Sequence, residues 1–241
     1  MFNRKKDVPA PSGTGPAISL DKVPPGLVSL TKTAAVSLEK QGLTGQRAAV
    51  YLVLDHSGSM VPYYQDGSMQ RLAEQALGLS ANMDDDGCVP LIYFGSYVEH
   101  LSDIDLDSYQ GVVDRTHNRV HWGSTNYAAA INYVIEAHDN PSAPALVIFQ
   151  TDGDPDSRQQ AESAIRTASE WPIFFSFVGF GPARNMRFLK KLDDLKDRTV
   201  DNASFFHAAD PHAVSDAALY DGITHEYAGW LAAASAAGVL R

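Results

Sequence analysis

Short apolar runs alternate with segments of helical spacing along most of this chain. Residues Ala48 to Leu54 are apolar at every position, and comparable runs return at 144–150 and 172–179. Runs this short and uniform predict strands covered on both faces, the environment of a parallel sheet. Cys88 to Phe94 predicts another strand, with Pro90 marking a strand end or bulge, and Tyr97 to Leu101 a short edge strand. Ala203 to His207 predicts a sixth. Between the strands, apolar residues recur every three or four positions. They predict helices from Leu27 up to Gly42, from Met69 to about Met83, over Asn126–His138, Ser157–Ser169 and Asn185–Leu195, and one or two from Pro211 to about Ala237. Asp103, Asp105 and Asp107, alternating with Ile104 and Leu106, read as the start of a short helix ending near His117. This alternation predicts an α/β fold, a doubly wound, mainly parallel sheet with helices on both faces. Right-handed crossovers would then gather the loops after Leu54, before Thr125 and after Gln150 at one edge.

Chemistry collects at those loops. Asp55 ends the first apolar run and is followed by Ser57 and Ser59, with Gly58 between them. Ligand groups in open α/β sheets lie just beyond the carboxyl ends of strands. A carboxylate and two hydroxyls there are hard oxygen donors, suited to Mg²⁺, Mn²⁺ or Ca²⁺ rather than to zinc or copper. Gly123-Ser124-Thr125-Asn126 opens a helical stretch, and Thr151-Asp152-Gly153 follows the run that ends at Gln150. Two readings stand for Thr125, a helix N-cap or a metal ligand. Asp154 reads as an exposed loop carboxylate or as support for Asp152.

Asp55-x-Ser57-x-Ser59, with Thr125 and Asp152 in the same order along the chain, resembles the metal-ion-dependent adhesion site of von Willebrand factor A-type (vWA) domains. The likeness covers roughly Arg47 to the C-terminus. It implies six strands in the order 3-2-1-4-5-6 with the third antiparallel at an edge. It also implies a metal site formed by Asp55, Ser57, Ser59, Thr125 and Asp152, holding Mg²⁺ first and Mn²⁺ or Ca²⁺ as alternatives. A carboxylate from a protein partner would complete the shell. His56, Met60, Tyr63, Tyr64, His121 and Trp122 lie next to the motif loops in sequence and are candidate rim contacts for that partner. Tyr127 is either a further rim residue or part of the core. The stretch from Ile18 to Lys32 resembles the lead-in of vWA domains attached to bacterial tellurium-resistance (Ter) proteins. That likeness implies a stress-response setting, with other Ter-type proteins as candidate partners.

Composition narrows the field. The chain has 241 residues, 44% of them apolar, enough for one large core. A formal charge of −10 opposes binding to nucleic acid or to an anionic membrane surface. Cys88 is the single cysteine, so no intrachain disulfide can form, and it reads as a small core residue at a strand start. No segment reaches the roughly 18–20 apolar residues that span a bilayer, and Arg4, Lys5 and Lys6 have no apolar stretch behind them. A cytoplasmic location is expected. Asp84-Asp85-Asp86-Gly87 reads as a solvated turn. Residues 1–17 read as a flexible tail, 18–46 as a helical extension and 47–241 as the vWA domain.

Catalytic readings fare worse than binding. A nucleophilic serine next to His56 lacks a Gly-x-Ser-x-Gly elbow, and no phosphate-cradling glycine loop is present. Ser29-Leu-Thr-Lys32 matches Ser-x-x-Lys without the motifs that accompany it in penicillin-binding enzymes. The expectation is therefore a metal-dependent binding module and not an enzyme. A divalent-metal phosphoester hydrolase at the same site is the alternative.

Overall fold

The computed structural model describes residues 15–140 and 142–240. Its centre is a single sheet of β1 (Ala49–Asp55), β2 (Cys88–Phe94), β3 (Val98–Asp105), β4 (Ala145–Thr151), β5 (Ile173–Phe180) and β6 (Ala203–Ala208). The strand order is β3-β2-β1-β4-β5-β6. Neighbours run parallel except β2 and β3, whose antiparallel hairpin forms one edge. Every residue of β1, β4 and β5 is buried, which is why those runs carry no polar alternation.

Helices cover both faces. On one side lie α1 (Pro25–Lys40), α2 (Val61–Gln65), α3 (Ser68–Met83) and α4 (Val112–His117), together with α8 (Asp216–Thr224) and α9 (Tyr227–Ala236). There Val50, Leu52 and Leu54 of β1 share a core with Leu30, Leu72, Tyr220 and Trp230. On the other side are α5 (Tyr127–Ala137), α6 (Arg158–Ala168) and α7 (Arg187–Asp193). Their Ile131, Ile165 and Leu189 pack on Tyr51, Val53 and Phe149. Alternate residues of one strand thus feed two separate cores, as the two-residue period of a strand requires.

Several boundaries differ from the sequence reading. Asp103 and Asp105 belong to β3 and do not open a helix. Ile104 between them is fully buried while they are not, so the alternation is that of an edge strand and not of a helix cap. Pro90 sits inside β2, but the ladder with β1 begins only at Leu91, and the register with β3 shifts between Leu91 and Ile92. A residue without an N–H is thereby kept out of the inner ladder. Asp84 is buried and its N–H closes the end of α3 onto Ser80 O at 2.7 Å, so the triple-aspartate turn is not solvated throughout. Cys88 is buried at the start of β2.

Much of the segment read as a flexible tail, residues 1–14, lies outside the described residues. The part that is described is anchored, since Ala17 and Ile18 donate their N–H groups to Asn82 O and Ala81 O at 3.1 and 2.9 Å. The segment read as an extension is built into the main core: α1 buries Leu27, Leu30, Ala34 and Leu38 against α3 and α8. Gly78 makes this possible, because a Cβ there would lie 2.8 Å from Leu30 Cβ. Among the described residues, no helix is long and apolar enough to cross a membrane.

Candidate metal centre

Asp55 is the last residue of β1 and is fully buried. Its carboxylate is held at both oxygens: Ser57 N donates to Oδ1 at 2.8 Å and Thr151 Oγ1 to Oδ2 at 2.6 Å. After Ser57 the chain enters a single 3-10 turn, Gly58–Met60, which brings Ser59 back over the strand ends. Ser57 Oγ lies 3.2 Å from Ser59 Oγ, and Ser59 Oγ donates to Asp152 Oδ1 at 2.9 Å. Asp55, Ser57, Ser59 and Asp152, drawn from two loops, are therefore linked in one hydrogen-bonded chain, Asp55 through the backbone N–H of Ser57 and the others through side-chain oxygens.

Thr125 arrives by another route. Gly123 bridges to Ser57 as in a parallel ladder, its N–H donating to His56 O at 3.1 Å. That approach requires glycine, because a Cβ on Gly123 would run into the backbone nitrogen of Ser96. Thr125 is not the N-cap of α5. Asn126 takes that role, its Oδ1 accepting from Ala129 N at 3.1 Å. Among the described residues Thr125 Oγ1 has no hydrogen-bond partner, so its loop stands beside the oxygen chain without joining it.

Two carboxylates in this chain lack cationic neighbours. Among the described residues neither Asp55 nor Asp152 forms an ion pair. Burial pushes the Asp55 carboxyl up to about 7 against the hydrogen bonds from Thr151 and Ser57, and burial also raises Asp152. No three His, Cys, Asp or Glu side chains gather as a metal cluster among the described residues. The donor set of two carboxylates and neighbouring hydroxyls fits a hard divalent cation.

The predicted rim divides in two. His121 and Trp122 are exposed and Tyr63 is half-buried. His56, Met60 and Tyr64 are buried and form no rim. Met60 and Tyr64 are four positions apart, so they fall on one helical face, and that face turns into the core beneath the site. Tyr64 still contributes, its hydroxyl donating to Asp55 O at 3.0 Å. His56 lies under Trp122, with the ring centroids 3.7 Å apart and the planes 13° from parallel. Its Nδ1 is 3.3 Å from His121 O and its Nε2 has no partner. Burial pushes this imidazole down to about 4. Tyr127 belongs to the core, its hydroxyl 3.0 Å from Thr151 Oγ1. Asp154 is an exposed loop carboxylate paired with Arg158.

Sequence reasoning missed Thr151 and Asp156. Thr151 orients Asp55, and the visible sign was a hydroxyl directly before Asp152 at the end of a buried strand. Asp156 accepts from Thr125 N at 3.0 Å, a tertiary contact that no local pattern announces.

The same fold recurs in known proteins. Residues 47–240 match the model of the family vWA-TerF-like, described as the vWA found in the TerF C terminus. The chain is 33% identical over 217 residues to the uncharacterized protein YcbR of Bacillus subtilis (strain 168), covering 87% of this chain and 88% of that one. The manganese-loaded TRAP protein of Plasmodium vivax shares the fold at 20% identity, with 74% of this chain and 72% of that chain covered and a TM-score of 0.51. Proximal thread matrix protein 1 of the mussel byssus does so at 14% identity and a TM-score of 0.51, over 74% of this chain. The chain spans 46% of that mussel protein and 42% of VWA2 from Sulfolobus acidocaldarius, less than two thirds of either. With the family model matching from just before β1 almost to the last residue, and the strand order that the likeness implied, this chain belongs to the TerF-like group of von Willebrand factor A domains.

Proposed function

We propose that the oxygen chain at the strand ends binds a divalent cation, Mg²⁺ first and Mn²⁺ or Ca²⁺ as alternatives, and through it captures a carboxylate of a protein partner. The observation that carries this reading is the pairing of Asp55 and Asp152 through Ser57 and Ser59 with no cationic side chain to balance them. Asp55, Ser57, Ser59 and Asp152 would hold the ion, with Thr125 bound directly or through water. Two carboxylates only neutralise a divalent cation, which therefore supplies Lewis acidity for a further anionic oxygen. Ser57 N and Thr151 Oγ1 keep the Asp55 carboxylate oriented, leaving lone pairs on both oxygens. His121 and Trp122 flank the site as exposed contacts.

Binding is favoured over turnover because His56, the base that hydrolysis would call on, is stacked beneath Trp122. The manganese-loaded TRAP structure lends support in kind, since it carries a metal on this fold. The wider setting we propose is a cytoplasmic Ter-type stress-response system, with other Ter-type proteins as partners. No soft-ligand site for tellurium chemistry occurs among the residues of this centre, so any role in resistance would be indirect.

Calorimetric titration with MgCl₂, MnCl₂ and CaCl₂ tests the reading. Wild type should bind at least one ion and Asp55→Ala none. Absence of binding to all three would refute it, and metal-dependent turnover of p-nitrophenyl phosphate would replace binding with hydrolysis.

A further inference from the structure

We infer that Asp156 is the positioning residue for Thr125, clasping the loop that carries it onto the loop that carries Asp152; this rests on the metal reading above. Asp156 is exposed, and an exposed loop carboxylate ordinarily points into solvent. Here both oxygens and the backbone amide are engaged on one target. Oδ1 accepts from Thr125 N at 3.0 Å, Oδ2 accepts from Ser124 Oγ at 2.6 Å, and Asp156 N donates to Thr125 O at 2.9 Å. Asp154, two positions earlier, turns the other way to pair with Arg158. The alternation gives the two carboxylates separate tasks.

The clasp fixes both backbone polar groups of Thr125 while its hydroxyl remains without a partner among the described residues. Asn126 has taken over the capping of α5, so nothing in the helix uses that hydroxyl. Fixing the backbone fixes the Cα–Cβ direction and leaves one torsion free at Thr125. The loop is also held from the opposite side, where Ser96 Oγ accepts from Ser124 N at 3.1 Å and His56 O accepts from Gly123 N. A loop pinned on both flanks with one free hydroxyl is preorganised to present that hydroxyl. Groups that orient ligands typically change metal affinity by about 10–100-fold when removed.

Calorimetry with MnCl₂ on wild type, Asp156→Asn, Asp156→Ala, Thr125→Ala and the double variant Thr125→Ala/Asp156→Ala tests this, beside hydrogen exchange of the Thr125 amide in EDTA. Asp156→Ala should bind about 10–100-fold more weakly and lose protection of that amide. Asp156→Asn keeps an acceptor for Thr125 N and should lose less than about tenfold. The double variant should bind no more weakly than Thr125→Ala alone, because Asp156 acts through Thr125. Wild-type affinity in Asp156→Ala, or losses that add in full in the double variant, would overturn the inference. So would a Thr125 amide that exchanges freely in wild type, which shows the clasp absent whatever the metal does. If wild type binds no ion while the amide is protected, the metal reading fails, and the role given to Asp156 toward the ion fails with it.

Discussion

The imidazole of His56 lies flat against the indole of Trp122, sealed from water on one side by that ring and on the others by Tyr64 and Tyr93. Stacking of this kind adds about 0.5–1.5 kcal/mol beyond burial. Trp122→Ala should therefore lower stability by about 1–3 kcal/mol although Trp122 is itself 43% exposed, with Trp122→Phe intermediate, as read from urea unfolding. His56 also sets a pH dependence. Its folded value near 4 lies below the unfolded value of about 6.5, so the unfolded chain takes up the proton first. Stability from this group is full above about 6.5 and falls as pH drops toward 4. His56→Phe should flatten that slope, measured as the urea midpoint against pH.

Asp55 works in the opposite sense. Its folded value near 7 lies above the unfolded value of about 3.9, so the folded protein holds the proton longer. In EDTA the contribution of this group should fall as pH rises from about 4 to 7, and Asp55→Asn should remove the fall. At pH 8, Mg²⁺ or Mn²⁺ should raise Tm for wild type and leave Asp55→Asn unchanged. Below about pH 7 the proton competes with the ion, and affinity should drop by up to about tenfold per pH unit.

Gly123 is where two loops meet at backbone distance. Gly123→Ala places a Cβ against Ser96 N and 3.1 Å from Gly95 C, so the loop must move. The expected cost is about 1–3 kcal/mol of stability. Ion affinity should fall in parallel, because the displaced loop carries Thr125. Unfolding and calorimetry on the same preparation check both, and an unchanged affinity would separate Thr125 from the site.

Helix α1 belongs to the core, so shortening the chain to residue 47 should not release an independent domain. The truncated protein should bind ANS and lose cooperative unfolding, since Leu30, Ala34 and Leu38 would no longer cover α3 and α8. The milder Leu30→Ala should cost about 2–5 kcal/mol. A soluble, cooperatively folding fragment from residue 47 onward would overturn the assignment of α1 to the core.

Much of the fold was readable along the chain because burial on both faces leaves a plain mark. Strands β1, β4 and β5 showed as apolar runs, and the helices between them as three- and four-residue spacing. The edge was harder to read. Asp103 and Asp105 alternate with Ile104 in a pattern that serves equally for a helix start or a half-covered strand, and only pairing with β2 decides between them. Exposure of His56, Met60 and Tyr64 was misjudged for a related reason: nearness to a loop in sequence does not tell which side of that loop meets water.

The sequence by itself determined which oxygen-bearing side chains stand at the strand and helix ends, because Asp55, Ser57, Ser59, Thr125 and Asp152 are fixed by type and by their places there. The tertiary structure alone decided how those oxygens are held: Thr151 on Asp55, Tyr64 beneath it, and Asp156 on the Thr125 loop. The physical reason is one of range. Periodicity and strand-end chemistry are local properties that a linear text can carry, whereas a hydrogen bond between residues 31 or 96 positions apart exists only after the sheet has brought their loops to the same edge.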